Sequence, residues 1–124
     1  MQDVPYTIIQ DKDGNTANLD DLSAYPSDRV FRDAWVLNGD VIEEDLETAK
    51  DIWRDKIRVE RKPLLEALDT KFMKALETGD TATQTLVGTQ KQALRDAPSD
   101  SAIESATTIA ELKLARPSAL DIEV

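Results

Sequence analysis

The 124-residue chain contains neither cysteine nor histidine. Without cysteine there are no disulfides, thiolate nucleophiles or thiolate metal ligands. Without histidine, the usual general base near neutral pH and the commonest zinc ligand are missing, and so are Ser-His and Cys-His nucleophile pairs. Since only carboxylate, lysine or tyrosine chemistry is left, we expect no enzyme and no catalytic, cofactor-binding or metal site.

Positive charge and long apolar runs are also scarce. Lys and Arg total 15 against 25 Asp and Glu, which gives a net charge of -10. This charge opposes phosphate backbones and anionic lipids, so nucleic acids and membrane surfaces are poor partners. No segment approaches the roughly 18 apolar residues of a membrane span, and residues 1–5 lack the features of a signal peptide, so we expect a cytosolic protein.

The first 43 residues have the composition of short strands and turns. Residues 6–10 are β-prone and lead into a predicted tight turn at 11–15, which contains Asp-Gly-Asn. Further on, β-prone residues flank Asn38-Gly39, the strongest short-range hairpin signal. We therefore predict a β-hairpin over residues 30–43, with Phe31, Trp35 and Leu37 on one face and Arg32 on the other.

The predicted turn at 11–15 also resembles the start of a calcium-binding EF-hand loop. Asp11, Asp13 and Asn15 match its first three ligand positions. The required glycine would fall at Thr16, however, and the bidentate glutamate at Leu22. We therefore favour the turn over a calcium site.

From residue 44 onward, apolar residues at spacings of three and four predict helices. Asp45 is a plausible N-cap for the first one. Pro63 lacks an N–H group and disfavours helix before it, so we expect a kink or a break there. The apolar stripe resumes over 64–76 and ends at Gly79, after which a second helix over 81–97 completes an antiparallel αα-hairpin.

Beyond Pro98, two capping-box patterns, Ser101 to Glu104 and Thr108 to Glu111, predict two short helices. Residues 118–124 are predicted to fray. The expected fold class is α+β: a small N-terminal strand and hairpin region (1–43), a kinked helix with an antiparallel helical hairpin (44–98), and a short helical tail (99–124).

Two stretches of the helical region resemble a known family in order and spacing. After Trp53 the chain reads Arg58-x-x-Arg61-x-x-Leu64-Leu65-x-x-x-Asp69, and later Lys91-Gln92-Ala93-Leu94-Arg95-Asp96-Ala97-Pro98. This is similar to the core of the small tail assembly chaperones of tailed bacteriophages, whose pattern is W, then R-x-x-R-N-x-L-L-x-x-x-D-W, then R-Q-x-L-R-D-I/L-P. Lys62 and Thr70 depart from its Asn and second Trp, and Pro63 intrudes before the Leu pair.

The resemblance implies a non-enzymatic phage protein that binds a tail fibre or another tail polypeptide in the cytoplasm of the infected bacterium. It implies a chaperone role for the 44–98 region. The partner-binding residues that it implies are Trp53, Arg58, Arg61, Leu64, Leu65, Asp69, Leu94, Arg95 and Asp96.

Several alternatives remain open at this point. The protein could instead be a structural virion component, a small adaptor retained in the tail. A carboxylate enzyme, such as a glycan-cleaving accessory, would need two converging acids with at least one raised pKa, whereas the neighbouring acids at 43–45 are explained by the dipole of the following helix. Homo-oligomer formation is also left open.

The manner of partner binding has alternatives too. Arg58 and Arg61, weighed together with Asp69 and Asp96, either make polar contacts in which the arginines bind carboxylates of the partner or of a facing helix, or form a solvated face that contributes about 0 to 1 kcal/mol. Trp53, like the aromatic residues of the predicted hairpin, is either core or a binding hot spot. The partner would be received by residual apolar helix surface or by strand addition to an open edge of the 30–43 hairpin.

Overall fold

The computed structural model describes residues 8–123 and has the predicted α+β class. Its elements are β1 (Ile8–Gln10), β2 (Thr16–Asn18), β3 (Trp35–Asn38), β4 (Val41–Glu44), α1 (Leu46–Thr78), α2 (Thr81–Asp96), α3 (Ser101–Ser105) and α4 (Ile109–Leu114). Short 3-10 turns lie at Leu19–Asp21, Arg32–Ala34, Ala97–Ser99 and Ser118–Asp121. The described residues form two compact units, an N-terminal unit that ends at Ile52 and a helical unit that begins at Trp53.

The N-terminal unit contains two antiparallel hairpins. In the first, β1 pairs with β2, which confirms the predicted strand for residues 8–10, while residues 6 and 7 lie outside the described residues. In the second, β3 pairs with β4 so that Asn38 faces Val41 and the loop consists of Gly39 and Asp40. Gly39 has a φ of 66°, which glycine adopts without steric cost. Apolar side chains from both hairpins form the core: Ile9, Trp35 and Ile42, with Leu19, Leu22 and Leu37 packed against them.

The second hairpin is shorter than predicted, because residues 30–34 form turns instead of strand. The Asp28 carboxylate accepts a hydrogen bond from the Val30 N–H at 3.1 Å, and a 3-10 turn follows over Arg32–Ala34. Such Asx turns compete with strand pairing. The predicted alternation of side chains along a strand is therefore wrong here. Phe31 is buried, but it lies in a turn and not in a strand. The Arg32 guanidinium lies 4.9 Å from the centroid of the Trp35 ring instead of on the opposite face.

Helix α1 starts after Asp45, as predicted. The Asp45 carbonyl accepts the Ala49 N–H at 2.8 Å, and its carboxylate accepts the Thr48 hydroxyl. The helix continues through Pro63, so the alternative of a break is wrong. Pro63 and the exposed Val59 lie on the solvent side, where water can satisfy the Val59 carbonyl that has lost its N–H partner.

Lys50 is a further departure from the helical periodicity. Its position outside the apolar stripe of α1 predicts an exposed side chain, yet the residue is only 5% exposed. Its ammonium group lies 3.5 Å from the Glu47 carboxylate, one helical turn away. The long methylene stem of a lysine can pack on apolar surface while its charged end keeps polar partners. The spacing of apolar residues alone does not predict such burial of a lysine.

The turn between α1 and α2 follows the predicted chemistry. Gly79 has a φ of 70°, and its N–H donates to the Leu76 carbonyl at 3.2 Å, while the Asp80 N–H donates to the Ala75 carbonyl at 2.9 Å. These two bonds form a Schellman motif, which satisfies the last carbonyls of α1. Asp80 then caps α2, since its carboxylate accepts the Thr83 N–H at 3.0 Å and the Thr83 hydroxyl at 2.6 Å.

The tail contains the two predicted short helices, with one shifted cap. Asp100, rather than Ser101, caps α3 by accepting the Ala102 N–H at 2.8 Å, whereas Thr108 caps α4 as predicted. The fraying predicted beyond residue 117 is wrong for the 3-10 turn Ser118–Asp121, because Leu120 is buried. Residue 124 lies outside the described residues. Within 8–123, none of the helices combines the length and apolar character needed to cross a membrane.

Candidate partner-binding surface

Arg61 joins the two long helices. Its guanidinium Nη1 donates to the Leu94 carbonyl at 3.2 Å and to the Arg95 carbonyl at 3.0 Å, in the last turn of α2. Carbonyls at a helix C-terminus lack intrahelical donors and carry partial negative charge, so a guanidinium is a favourable partner there. Leu94 itself is fully buried. Arg61 and Leu94 therefore hold the hairpin together.

Asp69 bridges the same two helices farther along. Its carboxylate forms an ion pair with Lys91 on α2, and the Lys91 ammonium also lies 6.0 Å from the centroid of the Phe72 ring. Asp69 is exposed, so this pair contributes about 0 to 1 kcal/mol. Together with Arg61, it supports the interpretation that these charges contact a facing helix.

The other charged residues of the resemblance remain at the surface. Arg58 is exposed and pairs with Asp55 on its own helix at 2.6 Å. Asp96 accepts a hydrogen bond from the Gln92 amide at 3.0 Å, also within one helix. The Arg95 side chain is exposed, and only its carbonyl takes part in the contact with Arg61. These three residues match the alternative of a solvated charged face.

Trp53 anchors the tail within the helical unit. Its indole Nε1 donates to the Ala115 carbonyl, just beyond α4, at 2.9 Å. The half-buried ring lines a small pocket of about 100 Å³ that also includes Ile57 and Leu120. A buried tryptophan N–H normally finds such an acceptor, so Trp53 is at least in part a packing residue.

Two ion-pair contacts that the sequence did not reveal also fasten the tail. Arg116 forms a bidentate pair with Glu60 at 2.5 and 3.0 Å and donates to Asp121 at 3.0 Å. The hydrogen bonds that Arg116 donates to these carboxylates, the one to Glu60 first, raise the pKa of Arg116 above its ordinary value. Arg54 likewise contacts Glu104 at 2.7 Å. Glu60 lies 56 residues from Arg116 along the chain, and no local spacing rule connects residues so far apart.

Apolar side chains protrude around the end of the αα-hairpin. Met73 is 57% exposed, Leu76 48% and Leu86 52%, although Leu68, Ala75 and Val87 are buried. Leu64, Leu65 and Phe72 of α1 are half-buried. We call the members of this set that lie nearest the turn at Gly79 the hairpin-end surface: Phe72, Met73, Leu76 and Leu86. Leu64 and Leu65, which the resemblance implies, lie instead near the other end of the hairpin, since the neighbouring Arg61 contacts the last turn of α2.

The edges of the β3–β4 hairpin are occupied at several positions within the N-terminal unit. On β3, the Trp35 carbonyl accepts the Lys12 N–H at 2.9 Å. On β4, the Ile42 N–H donates to the Ala24 carbonyl at 3.0 Å. Since these groups are the ones an added strand would use, the hypothesis that this hairpin has an open edge for a partner strand is not supported.

Asp11 explains why the 11–15 segment is a turn. Its buried carboxylate accepts N–H groups of Asp13 (2.9 Å), Asn15 (2.8 Å) and Leu37 (2.8 Å), and the Asn15 side-chain amide at 3.2 Å. The hydrogen bond from Leu37 is the largest cause that lowers the pKa of Asp11 to about 2. Both oxygens are thus committed to joining the turn to β3. Over residues 8–123, no group of three or more acidic side chains is placed to hold a metal ion.

The carboxylate-enzyme alternative needs an acid with a raised pKa. The pKa of Asp11 is lowered instead, and so is that of Asp80, chiefly by the Thr83 side-chain and backbone hydrogen bonds. Neither group can act as a general acid near neutral pH.

A comparison of the chain with protein-family models, curated proteins and solved structures finds no match in any of the three. The resemblance to phage tail assembly chaperones therefore consists of the residue pattern alone.

Proposed function

We propose that the protein is a non-enzymatic assembly chaperone of a tailed bacteriophage, which binds a tail fibre or another tail polypeptide in the infected cell. The observation that supports this proposal best is the hairpin-end surface. Exposed apolar side chains that cluster on one structural element are typical of protein-binding sites. Fibrous tail proteins assemble slowly and expose apolar surface and strand edges meanwhile, so a protein that covers such surface prevents aggregation.

The distribution of charge favours docking at the helical unit. Residues 1–52 contain thirteen acidic and four basic side chains, whereas residues 53–124 contain twelve acidic and eleven basic ones. The net charge of -10 therefore comes almost entirely from the N-terminal unit. A nearly neutral helical unit can accept a partner without large charge repulsion, while the acidic N-terminal unit promotes solubility.

The proposed mechanism is reversible apolar contact. Met73, Leu76 and Leu86 are each about half exposed. Because full burial of such a side chain contributes roughly 1.5 to 3 kcal/mol, burying the exposed half contributes about 1 kcal/mol each. The three together supply about 3 kcal/mol, or roughly a hundredfold in affinity. This range suits a chaperone that must release its partner.

Co-expression with a phage tail-fibre polypeptide, followed by affinity capture and size-exclusion chromatography, tests the proposal. We expect a complex with the unchanged chain and its loss in the triple variant Met73→Ser, Leu76→Ser, Leu86→Ser. Val59→Ser is the matched control, since Val59 is an exposed apolar residue of α1 outside the hairpin-end surface. If the triple variant stays helical and retains the complex, the partner binds elsewhere; if the unchanged chain captures no tail polypeptide, the proposal fails.

The same resemblance fits a small tail adaptor that stays in the virion, and particle composition separates the two. A chaperone is expected in infected-cell lysate and not in purified particles. Stoichiometric amounts of the chain in purified particles would identify the adaptor instead.

A further inference from the structure

An exposed asparagine directly precedes the glycine of the β3–β4 turn. Asn38 is the last residue of β3, and Gly39 and Asp40 form the two-residue loop. Gly39, in the first loop position, has a φ of 66°, while the φ of Asp40 is negative, which is typical of a type II′ turn. All three residues are exposed. The Asn38 carboxamide and the Gly39 backbone N–H are therefore adjacent and reached by water.

The contacts of this turn leave the peptide unit between Asn38 and Gly39 open to reaction. On the far side of the loop, the Asp40 carbonyl accepts the Ser23 N–H at 2.8 Å. By contrast, no group of the described residues accepts a hydrogen bond from the Gly39 N–H. Apart from its chain neighbours, no atom lies within 4 Å of the position that a Cβ would take at Gly39. The Asn38 Nδ2 lies 3.3 Å from Glu43 Oε1, a contact that does not cover the carbonyl carbon of the side chain.

We propose that Asn38 is a site of spontaneous deamidation, with the Gly39 backbone nitrogen as the nucleophile and water as the co-reactant. After this nitrogen loses its proton, it bonds to the Asn38 Cγ. The bond from Cγ to Nδ2 then breaks, ammonia leaves with the proton, and a five-membered succinimide ring remains. Ring closure requires only a local opening of the hairpin tip, and such openings need little free energy.

Water completes the reaction by opening the ring at either carbonyl. Breaking the bond between the nitrogen and Cγ gives aspartate, whereas breaking the bond between the nitrogen and the former main-chain carbonyl carbon gives isoaspartate. In sum, a carboxamide and water become a carboxylate and an ammonium ion. No oxidation or reduction takes place. Glycine suits the nucleophile position because it has no Cβ to crowd the approach of its nitrogen.

The two other asparagines of the chain are held differently. The Asn15 side-chain amide donates to the buried Asp11 carboxylate at 3.2 Å, and the next residue is the β-branched Thr16. The Asn18 Oδ1 accepts a backbone N–H two residues further on at 3.0 Å, and the next residue is Leu19. In both cases the side chain is engaged and the following nitrogen is shielded. Deamidation is therefore expected at the hairpin tip in preference to these sites.

Either product changes the hairpin. Aspartate in place of Asn38 puts a second carboxylate next to that of Glu43, in a segment (residues 1–52) that already has thirteen acidic and four basic side chains. Isoaspartate adds one atom to the main chain, and the two-residue loop then no longer fits the pairing of position 38 with Val41. We expect the modified chain to unfold at lower urea concentration. The reaction involves no residue of the hairpin-end surface, so its outcome does not decide the proposed chaperone function.

Incubating the full chain for days at about pH 7 to 9, followed by tryptic digestion and mass spectrometry, tests the proposal. Trypsin places Asn38 in the peptide 33–50, which has no other asparagine or glutamine, and Asn15 and Asn18 in the peptide 13–29. We expect peptide 33–50 to gain one mass unit several-fold faster than peptide 13–29. The rate should rise with pH, because the nitrogen attacks only after it has lost its proton.

The nature of the product and one variant identify the mechanism. Direct hydrolysis of the side chain gives only aspartate, so isoaspartate, detected by enzymatic methylation, shows that the ring has formed. Gly39→Ala is expected to slow the reaction several-fold, whereas the control Gly88→Ala, on α2, should leave it unchanged. Circular dichroism checks that both variants fold; if Gly39→Ala does not, the isoaspartate of the unchanged chain decides. An unmodified peptide 33–50, equal modification of both peptides, or a product without isoaspartate would overturn the proposal.

Discussion

Replacing Arg61 tests whether the arginine pair of α1 binds the facing helix or a partner. Arg61→Met keeps the apolar stem and removes two hydrogen bonds to the carbonyls of Leu94 and Arg95. Hydrogen bonds from a charged donor contribute about 1.5 to 3 kcal/mol when buried. Arg61 is only half-buried, so we expect a loss of about 1 to 2 kcal/mol for the two bonds together.

Arg58 is the natural control because it lies one turn earlier on α1 and belongs to the same pattern. Its pair with Asp55 is exposed and lies three residues away on the same helix. Such pairs contribute about 0.2 to 0.5 kcal/mol. Arg58→Met removes the same charge as Arg61→Met but only this weak ion pair. It should therefore lower the free energy of unfolding much less than Arg61→Met does.

Urea unfolding monitored by circular dichroism at 222 nm compares the two variants, since this signal reports chiefly on the long helices. With a slope of about 1.5 kcal/mol per M urea, we expect the midpoint of Arg61→Met to fall by about 0.7 to 1.3 M. The midpoint of Arg58→Met should fall by about 0.3 M or less. Equal shifts in the two variants would refute the assignment of Arg61 as the contact between α1 and α2.

Three further predictions concern other local contacts. The pKa of Asp11 is lowered from 3.8 to about 2, so its contribution to stability is present above pH 3.8 and is lost as the pH falls through 2. The variant Asp11→Asn should be less stable than the unchanged chain at pH 7 and should lack this pH dependence. Urea titrations of both chains at several pH values check this. Gly79→Ala should destabilise the hairpin by about 1 kcal/mol, since a residue with a Cβ is strained at a φ of 70°. Gly88→Ala should instead stabilise α2 by up to about 1 kcal/mol, because no atom beyond the neighbouring stretch of its own helix lies within 4 Å of the added Cβ. Thermal unfolding curves in which both glycine variants shift in the same direction would contradict this pair of predictions.

The helical half was largely predictable because its signals are local. Apolar spacing predicted both long helices, and Gly79 with Asp80 predicted the turn between them from backbone chemistry that needs no distant partner. The predicted break at Pro63 is absent. A proline breaks a helix most readily where water cannot replace the lost hydrogen bond, and Pro63 lies on the solvent side of α1. Thr108 fixed the start of α4 for the same local reason.

The N-terminal unit was less predictable because tertiary contacts decide its details. Asp11 joins a turn to a strand 26 residues away, through its bond to the Leu37 N–H. The predicted strand over residues 30–34 was lost to the turn that Asp28 initiates. In the helical unit, the hydrogen bond from the Trp53 indole to the Ala115 carbonyl was not predicted for a related reason. The two residues lie far apart in the sequence, and no local pattern connects them.

The positions that carry the resemblance define the hairpin more than they define a partner. Arg61 and Leu94 join α1 to α2 at one level, and the Asp69–Lys91 pair joins them at another. A pattern of this kind can recur in proteins that bind different partners, because it sets the spacing of two helices. Partner choice would then depend on side chains that the pattern leaves free, and Met73, Leu76 and Leu86 are the exposed apolar ones closest to the turn of the hairpin. Under the proposed function, exchanging these three residues is expected to change which tail polypeptide is captured on co-expression, whereas changing Arg61 is expected to weaken the capture of every partner alike through the loss of helix pairing.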